Sequence, residues 1–497
     1  MLRSRRLSFA IAFSSLMMFT APHANAAEQD AVKRPNILFV YTDDQAPWGF
    51  GASGYDQAVT PHIDQLAEEG ARFTNAFVTT PVCSPARVAL MTSRYASEYR
   101  VLDFIPQPGH RLYDPDGDVG LDPEAVTFPE VLQQAGYRTG LVGKFHVGDW
   151  TRTEDKKYHP TNQGYDYFMG LTGGGTSPDN PLLEKNGLVE QFEGLTTDIL
   201  TDHALEFIRE HHKQPFLLSV HYRAPHAKWL PVAEEDWAPY AELDPEIPNP
   251  DYPGLRTELV KQKTREYLAS ISGVDRNLGR LLKLLDELNL RDETVVIFTS
   301  DHGYNMGHNG ITHKGNGSWI VEPLPPATEH VRRGDRPNMY DNSIKVPLIV
   351  RWPGEIEPGT IVDDTVTSLD CYPTLVELAG APLPADHLVR GRSLVSLFQG
   401  DTPADWEQDY YGEYSQIHYS RADMRCYRTR EWKLIRDFRD PSRDELYHLT
   451  EDMGETKNLI DEDRAEIKTV ILELSRRIEE KMEEVGDDLM IRTDEVE

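Results

Sequence analysis

Glu293-Thr-Val-Val-Ile-Phe-Thr-Ser300 runs straight into Asp301-His302-Gly303, and this stretch decides the fold. Val295 to Phe298 are consecutive apolar residues of the β-forming type with no polar alternation, which predicts a strand buried on both faces of a parallel sheet. The strand then delivers a carboxylate and an imidazole at its C-terminal end. Three other stretches have the same plan: Asn36-Ile-Leu-Phe-Val-Tyr-Thr42 ends in Asp43-Asp44, Tyr137-Arg-Thr-Gly-Leu-Val142 runs on to Lys144 and His146, and Pro215 to Tyr222 is followed by Arg223-Ala-Pro-His226. In a parallel sheet these ends share one edge, which is where such folds place ligands.

Each cluster also has a plainer reading. Asp43 and Asp44 repel one another and a bound cation relieves that, but a solvated turn accounts for the pair equally well. Lys144 and His146 face the same way if the extended chain continues, though such pairs more often lie on a polar surface. The convergence of all four on one edge favours a site for a cation and a tetrahedral oxyanion.

Helices are expected between the strands, from Thr60-Pro61 to Gly70, over Thr127–Gly136, Asp198–His212 and Asp370–Gly380, and from Glu258 to Leu290, where Leu278, Leu281, Leu282, Leu285 and Leu288 recur at helical spacing. Val346-Pro-Leu-Ile-Val350 is a further strand. The fold class is α/β, a large mostly parallel sheet flanked by helices. Asp149 to Thr197, rich in Gly, Pro and Asn, reads as loops over one edge of the sheet. Past about Leu383 the alternation stops. Trp432–Arg436 and Glu445–Leu449 read as antiparallel strands with a turn at Asp440-Pro441, and Ala465–Glu483 as a charged helix. We therefore expect a catalytic domain over 34–384 and a small C-terminal α+β subdomain over 385–497 that completes the active-site edge.

At 497 residues the chain exceeds the size at which one core keeps growing. Arg3, Arg5 and Arg6, the apolar run from Leu7 to Phe19 and the small residues of Ala24-Asn25-Ala26 read as a signal peptide over 1–26, and so as export to the periplasm or beyond. Ser4-Arg5-Arg6 partly matches a twin-arginine signal, and no cysteine follows the run to carry a lipid. Cleavage removes three arginines and no acid, taking the formal charge from −31 to −34. That balance excludes non-specific nucleic-acid binding as the main activity, though a site can be locally positive on an acidic body. No segment of the mature chain is apolar enough to span a bilayer. Of the three cysteines, Cys371 and Cys426 either pair or stay reduced, while Cys83 stands apart.

Cys83 lies in Pro81-Val-Cys-Ser-Pro-Ala-Arg-Val-Ala-Leu-Met-Thr-Ser-Arg94. Ser84 suits an N-cap, Pro85 the first helical position, and Val88, Leu90 and Met91 an apolar face, so Cys83 is expected just ahead of a helix N-terminus. That end favours anions and lowers the pKa of a nearby thiol, and Arg87 adds a permanent cation. The commoner fate of such a cysteine is a small buried apolar residue.

Cys83-Ser-Pro-Ala-Arg87 followed by Ser93-Arg94 resembles the signature of the formylglycine-dependent sulfatases, the type I sulfatases of the alkaline phosphatase superfamily. The order Asp-Asp, Cys-Ser-Pro-x-Arg, Gly-Lys-x-His, His after Pro, Asp-His-Gly and a later Lys extends the resemblance over nearly the whole mature chain. It implies an alkaline phosphatase-like sandwich and a sulfuric ester hydrolase acting on a sulfated saccharide. By the same resemblance a formylglycine-generating or sulfatase-maturating enzyme oxidises Cys83 to an aldehyde, and one hydroxyl of its hydrate attacks sulfur. Asp43, Asp44, Asp301 and His302, with modified Cys83, would hold one divalent metal, usually calcium in this family. Arg87 would hold the nucleophile, Lys144 and Lys314 would bind sulfate oxygens, His226 would protonate the departing alcohol, and His146 would take the proton that expels sulfate, with His313 an alternative in either role. His302 is shared with iduronate-2-sulfatase-like members, where arylsulfatases have asparagine. It favours an exo-acting O-sulfatase on a sugar, alongside choline-sulfate or N-sulfoglucosamine cleavage. Asp179, Asn180, Trp229, Trp319, Arg421 and Arg425 are loop candidates for sugar contact. The alternatives are a phosphonate or phosphate ester hydrolase of the same superfamily and a non-catalytic sulfated-glycan binder with Cys83 unmodified.

Overall fold

In the computed structural model, residues 34–151 and 156–489 are described, so the expected signal peptide lies outside them. The strand that leads into Asp301 is β8 (Thr294–Ser300) of a ten-stranded sheet. With β1 (Asn36–Thr42), β2 (Ala71–Phe77), β3 (Arg138–Lys144), β4 (Tyr167–Leu171), β5 (Leu182–Lys185), β6 (Leu188–Gln191), β7 (Phe216–His221), β13 (Leu348–Arg351) and β14 (Thr360–Thr367), the order is β14-β2-β13-β8-β1-β7-β3-β4-β5-β6. The four strands that carry the polar clusters, β8, β1, β7 and β3, are consecutive and parallel. Thr42 is level with Ser300, and Tyr41 and Gly143 are both level with His221, so the four clusters leave the sheet side by side.

The sheet is mixed. β13 runs antiparallel to both β2 and β8, and β5 and β6 form an antiparallel hairpin inside the stretch expected to be loops. That hairpin is outside the buried-strand pattern because Leu188 to Gln191 are all exposed.

Side chains alternate across the sheet and feed two cores. Ile37, Phe39 and Tyr41 face one, with α2 (Cys83–Thr92), α3 (Phe128–Gln134) and α6 (Cys371–Leu378). Leu38 and Val40 face the other, with α1 (Pro61–Glu69), α4 (Thr196–His211) and α5 (Thr257–Glu287). Each large apolar side chain so buried contributes about 1.5–3 kcal/mol, which makes the sheet a rigid platform for its edge.

A second sheet, β9 (Asn305–Met306), β10 (Ile311–His313), β11 (Asn316–Trp319) and β12 (Asp335–Pro337), is antiparallel and folds the chain after Asp301 back over that edge. The C-terminal sheet has four antiparallel strands, two more than expected: β15 (Tyr410–Gln416), β16 (Ala422–Arg428), β17 (Trp432–Asp437) and β18 (Glu445–His448), backed by α7 (Ala465–Val485). Tyr410 and Met424 of this sheet share a hydrophobic cluster with Phe77 and Val82, so it buttresses the residue before Cys83. The described residues from Arg34 on form one compact unit. All three cysteines are buried and unpaired, so Cys371 and Cys426 are reduced.

Candidate active site

Cys83 is the first residue of α2, not the residue ahead of it. Val82 caps the helix in an extended conformation, and Ser84 Oγ accepts the amide of Ile105 instead of capping. The helix N-terminus therefore carries the thiol on its first turn, where Arg87 follows four residues later on the same face.

His226 and His313 are half-buried, the other residues of the predicted set are buried, and they converge on this point. Arg87 donates Nε and Nη2 to Asp301 Oδ2 at 3.0 and 2.9 Å and Nη1 to the Lys144 carbonyl at 2.7 Å. Lys144 Nζ donates to Asp43 Oδ2 at 2.7 Å. Lys314 Nζ reaches Asp44 Oδ1 at 2.6 Å, Cys83 Sγ at 2.9 Å and His302 Nε2 at 3.1 Å. The ligand atoms of Asp43, Asp44, Cys83 and His226 lie within 4.8 Å of one another, as do those of Asp43, Cys83, Asp301 and His302. Asp44 takes a left-handed φ of 71° and its Oδ2 is buried without a hydrogen-bond partner. Three converging carboxylates, one with an oxygen left over, fit a divalent cation.

Burial disfavours the charged form of the carboxyls, the thiol and the imidazoles here, and the neighbouring charges oppose or reinforce it. For Asp43 burial is opposed by Lys144, His226 and Lys314, which hold the carboxyl well below its usual range. For Cys83 burial is outweighed by Lys144 and Lys314, which bring the thiol down to about 5. Burial and then Lys144 push His146 down to about 3, so its imidazole is neutral.

Lys144 and His146 do not share an extended run. β3 ends at Lys144, and His146 turns back with φ of 58°. Gly143, at φ 117°, permits this, since a Cβ there would lie 1.9 Å from the His221 carbonyl. His146 Nε2 pairs with the Ile105 carbonyl at 2.9 Å, while Nδ1 is buried and unpartnered. Gly174 packs on the same ring, where a Cβ would come within 2.6 Å. His226 Nδ1 lies 2.6 Å from the Ala227 carbonyl.

Cys83, His146, His226, His313 and Lys314 line one cavity of about 450 Å³, within the range of small-ligand sites. Its outer wall was not legible in sequence. Phe104, Gln107 and His110 come from one loop and Tyr419 from another, and His110 Nε2 meets the Tyr419 hydroxyl at 3.1 Å. Asp103 ties the two loops together by accepting the amides of Phe104, Ile417 and His418. None of the six loop candidates for sugar contact lines the cavity. Arg425 is buried in β16 and paired with Asp487 at 2.6 Å, and Trp229 is buried with Nε1 on the Pro225 carbonyl. Asp179 and Asn180 hydrogen-bond each other at an exposed turn.

A family model described as Sulfatase matches residues 35–381, and one described as the C-terminal part of N-sulphoglucosamine sulphohydrolase matches 329–484. An N-acetylglucosamine-6-O-sulfatase of Bacteroides thetaiotaomicron is 26% identical over an alignment covering 93% of this chain and 88% of that protein. Steryl-sulfatase of Rattus norvegicus is 28% identical, covering 81% and 76%. A solved structure of a protein in complex with its substrate D-glucosamine-2-N,6-O-disulfate superposes with a TM-score of 0.76 at 25% identity, covering 92% of this chain and 99% of that one.

Proposed function

The chain belongs to the sulfatase family and is a sulfuric ester hydrolase, and on that premise we propose that it removes sulfate from a sulfated saccharide by way of an oxidised Cys83. The observation that carries this reading is Cys83 itself. Its sulfur lies at the floor of a ligand-sized cavity, in contact with Lys314 and within reach of three carboxylates. The relative that acts on 6-O-sulfated N-acetylglucosamine, and the similar structure holding a sulfated glucosamine, direct the first choice of substrate to a 6-O-sulfated amino sugar rather than an iduronate.

Asp43, Asp44, Asp301 and His302 would hold one divalent cation, for which calcium suits the oxygen-rich set. When bound, that cation and the hydrate of a formylglycine at position 83 would supply charge withdrawal from the sulfate and an acidified hydroxyl nucleophile. The remaining work falls to the chain's own side chains. Arg87 fixes Asp301 and the Lys144 carbonyl, and so orients the first turn that carries position 83. Lys144 and Lys314, whose ammonium groups donate to Asp43 and Asp44, would hold sulfate oxygens. His226 has Nδ1 committed to Ala227, so proton transfer to the departing oxygen runs through Nε2. His146 has Nε2 committed to Ile105 and an unpartnered Nδ1, a neutral base placed to take the proton that releases sulfate.

We further propose that 34–384 is the catalytic part and 385–497 an α+β subdomain that completes the active-site edge, since Gln416 and Tyr419 line the cavity. Maturation by a formylglycine-generating or sulfatase-maturating enzyme, and export directed by residues 1–26, belong to the same reading.

The test is release of inorganic sulfate from N-acetylglucosamine 6-sulfate and a panel of sulfated saccharides by protein co-expressed with a maturating enzyme. Release that is lost in Cys83→Ala supports the reading. Hydrolysis of an aryl phosphodiester in preference to every sulfate would overturn it.

A further inference from the structure

The reaction outlined above leaves His313 without a task, although this residue lines the same cavity as Cys83, His146 and His226 and directly precedes Lys314. Its Nδ1 lies 2.8 Å from Asn316 Oδ1. An amide oxygen only accepts, so the proton sits on Nδ1, and Nε2 keeps a lone pair for the cavity. Burial, followed by the charge of Lys314, brings this imidazole down to about 4, which leaves it neutral at ordinary pH.

The backbone at His313 is equally constrained. Its φ of 86° is rarely adopted by a residue with a side chain. The surroundings hold it there. Asn305 Nδ2 donates to the His313 carbonyl at 2.9 Å, Asn338 Nδ2 donates to the Lys314 carbonyl at 2.9 Å, and the Gly315 amide donates to the Pro81 carbonyl, two residues before Cys83, at 3.0 Å. Gly315 is pressed so closely on Pro81 that a Cβ would lie 2.6 Å from its ring. Strained residues fixed from several sides in this way concentrate at binding and catalytic sites.

A neutral acceptor beside the sulfate-binding lysine has nothing to accept from the sulfate. Sulfate ester oxygens carry no hydrogen, and their own demand is for donors, which Lys144 and Lys314 meet. The partner for Nε2 must therefore come from the organic part of the substrate. We propose that His313, locked in its tautomer by Asn316, is a specificity residue that accepts a hydrogen bond from a hydroxyl or amide N–H close to the scissile ester, and that it selects saccharide sulfates over sterol and phenol sulfates. This inference rests on the sulfatase reading above and deepens it. A sterol or phenol sulfate offers no such donor and leaves Nε2 desolvated and unpaired, the situation in which a hydrogen-bonding site discriminates most strongly.

The experiment compares kcat/KM of matured wild type, His313→Ala, Asn316→Leu and Asn316→Asp on N-acetylglucosamine 6-sulfate and on 4-methylumbelliferyl sulfate. It is joined to histidine-selective ¹⁵N NMR of the intact protein titrated with unsulfated N-acetylglucosamine. In His313→Ala and Asn316→Leu, kcat/KM on the sugar sulfate is expected to fall about 10- to 100-fold further than on the aryl sulfate, chiefly through KM. Asn316→Asp, which keeps an acceptor for Nδ1–H, should recover most of the difference. The Nε2 resonance of His313 should move on addition of the sugar while Nδ1 stays protonated. Equal losses on both substrates, no loss on either, or a wild type active on the aryl sulfate alone would overturn the proposal. A matured wild type inactive on both would instead remove the sulfatase reading beneath it.

Discussion

Lys314 Nζ donates to Cys83 Sγ at 2.9 Å while its charge also rests on Asp44 Oδ1 at 2.6 Å. The lysine thus stabilises whatever anion stands at position 83, and in the unmatured protein that anion is a thiolate. Alkylation of unmatured protein by iodoacetamide should follow a titration centred near the thiol's pKa of about 5. In Lys314→Met the midpoint should move upward by at least about one pH unit, because one of the two cations that offset burial is gone. An unchanged midpoint would show that Lys314 does not govern the charge at Cys83.

Arg87 grips Asp301 through two nitrogens inside the core, at 2.9 and 3.0 Å. Arg87→Gln should lower unfolding stability by about 3–5 kcal/mol, since it strands a buried carboxylate. Arg87→Lys keeps the charge but loses the fork and the bond to the Lys144 carbonyl, and kcat/KM should fall about 100-fold or more. Urea unfolding without added divalent ions, and turnover by the matured variant, measure the two effects separately.

The strands that reach the site were legible because Ile37 to Tyr41 and Val295 to Phe298 are buried on both faces and so are apolar throughout. The polar residues that end them had to emerge at one edge. The cavity wall was hidden for the opposite reason. Phe104, His110 and Tyr419 meet only because Asp103 binds two loops distant in sequence, and no periodicity records such a contact. Arg425 misled because a charged residue outside the clear strands reads as surface, whereas its charge is neutralised in the core by Asp487. The helix start was misplaced by one pattern. Ser84 and Pro85 suit an N-cap and first position, but Val82 takes the cap and frees Ser84 to hold Ile105.

His221 is buried beneath the site, with Nδ1 on the Lys144 carbonyl at 3.0 Å and Nε2 unpartnered. Burial, and then Arg87, hold its pKa well below 6.5, so the folded chain refuses a proton that the unfolded chain accepts. Stability from this group is present above about pH 6.5 and is lost as pH falls below it, by up to about 1.4 kcal/mol per pH unit. His221→Phe, with Phe39 and Tyr41 already packed on this ring, should flatten the dependence of unfolding free energy on pH over about 4.5–6.5. A slope equal to wild type would refute the assignment.

Asp43 and Asp44 are shared between lysines, with Asp44 Oδ2 unpartnered. Adding calcium to chelator-treated protein should therefore raise the melting temperature, by about 2.7 kcal/mol of stabilisation at a hundredfold excess over Kd. Asp44→Asn should blunt that response. A melting temperature indifferent to every divalent ion would remove the cation from the account.

The most direct measurement is the mass of the tryptic peptide Phe73–Arg87 from protein made with and without a maturating enzyme, taken beside sulfate release from the same samples. Matured protein should have lost sulfur and gained oxygen at Cys83, and only this form should release sulfate. Sulfate release by protein whose Cys83 is an intact thiol would contradict this mechanism.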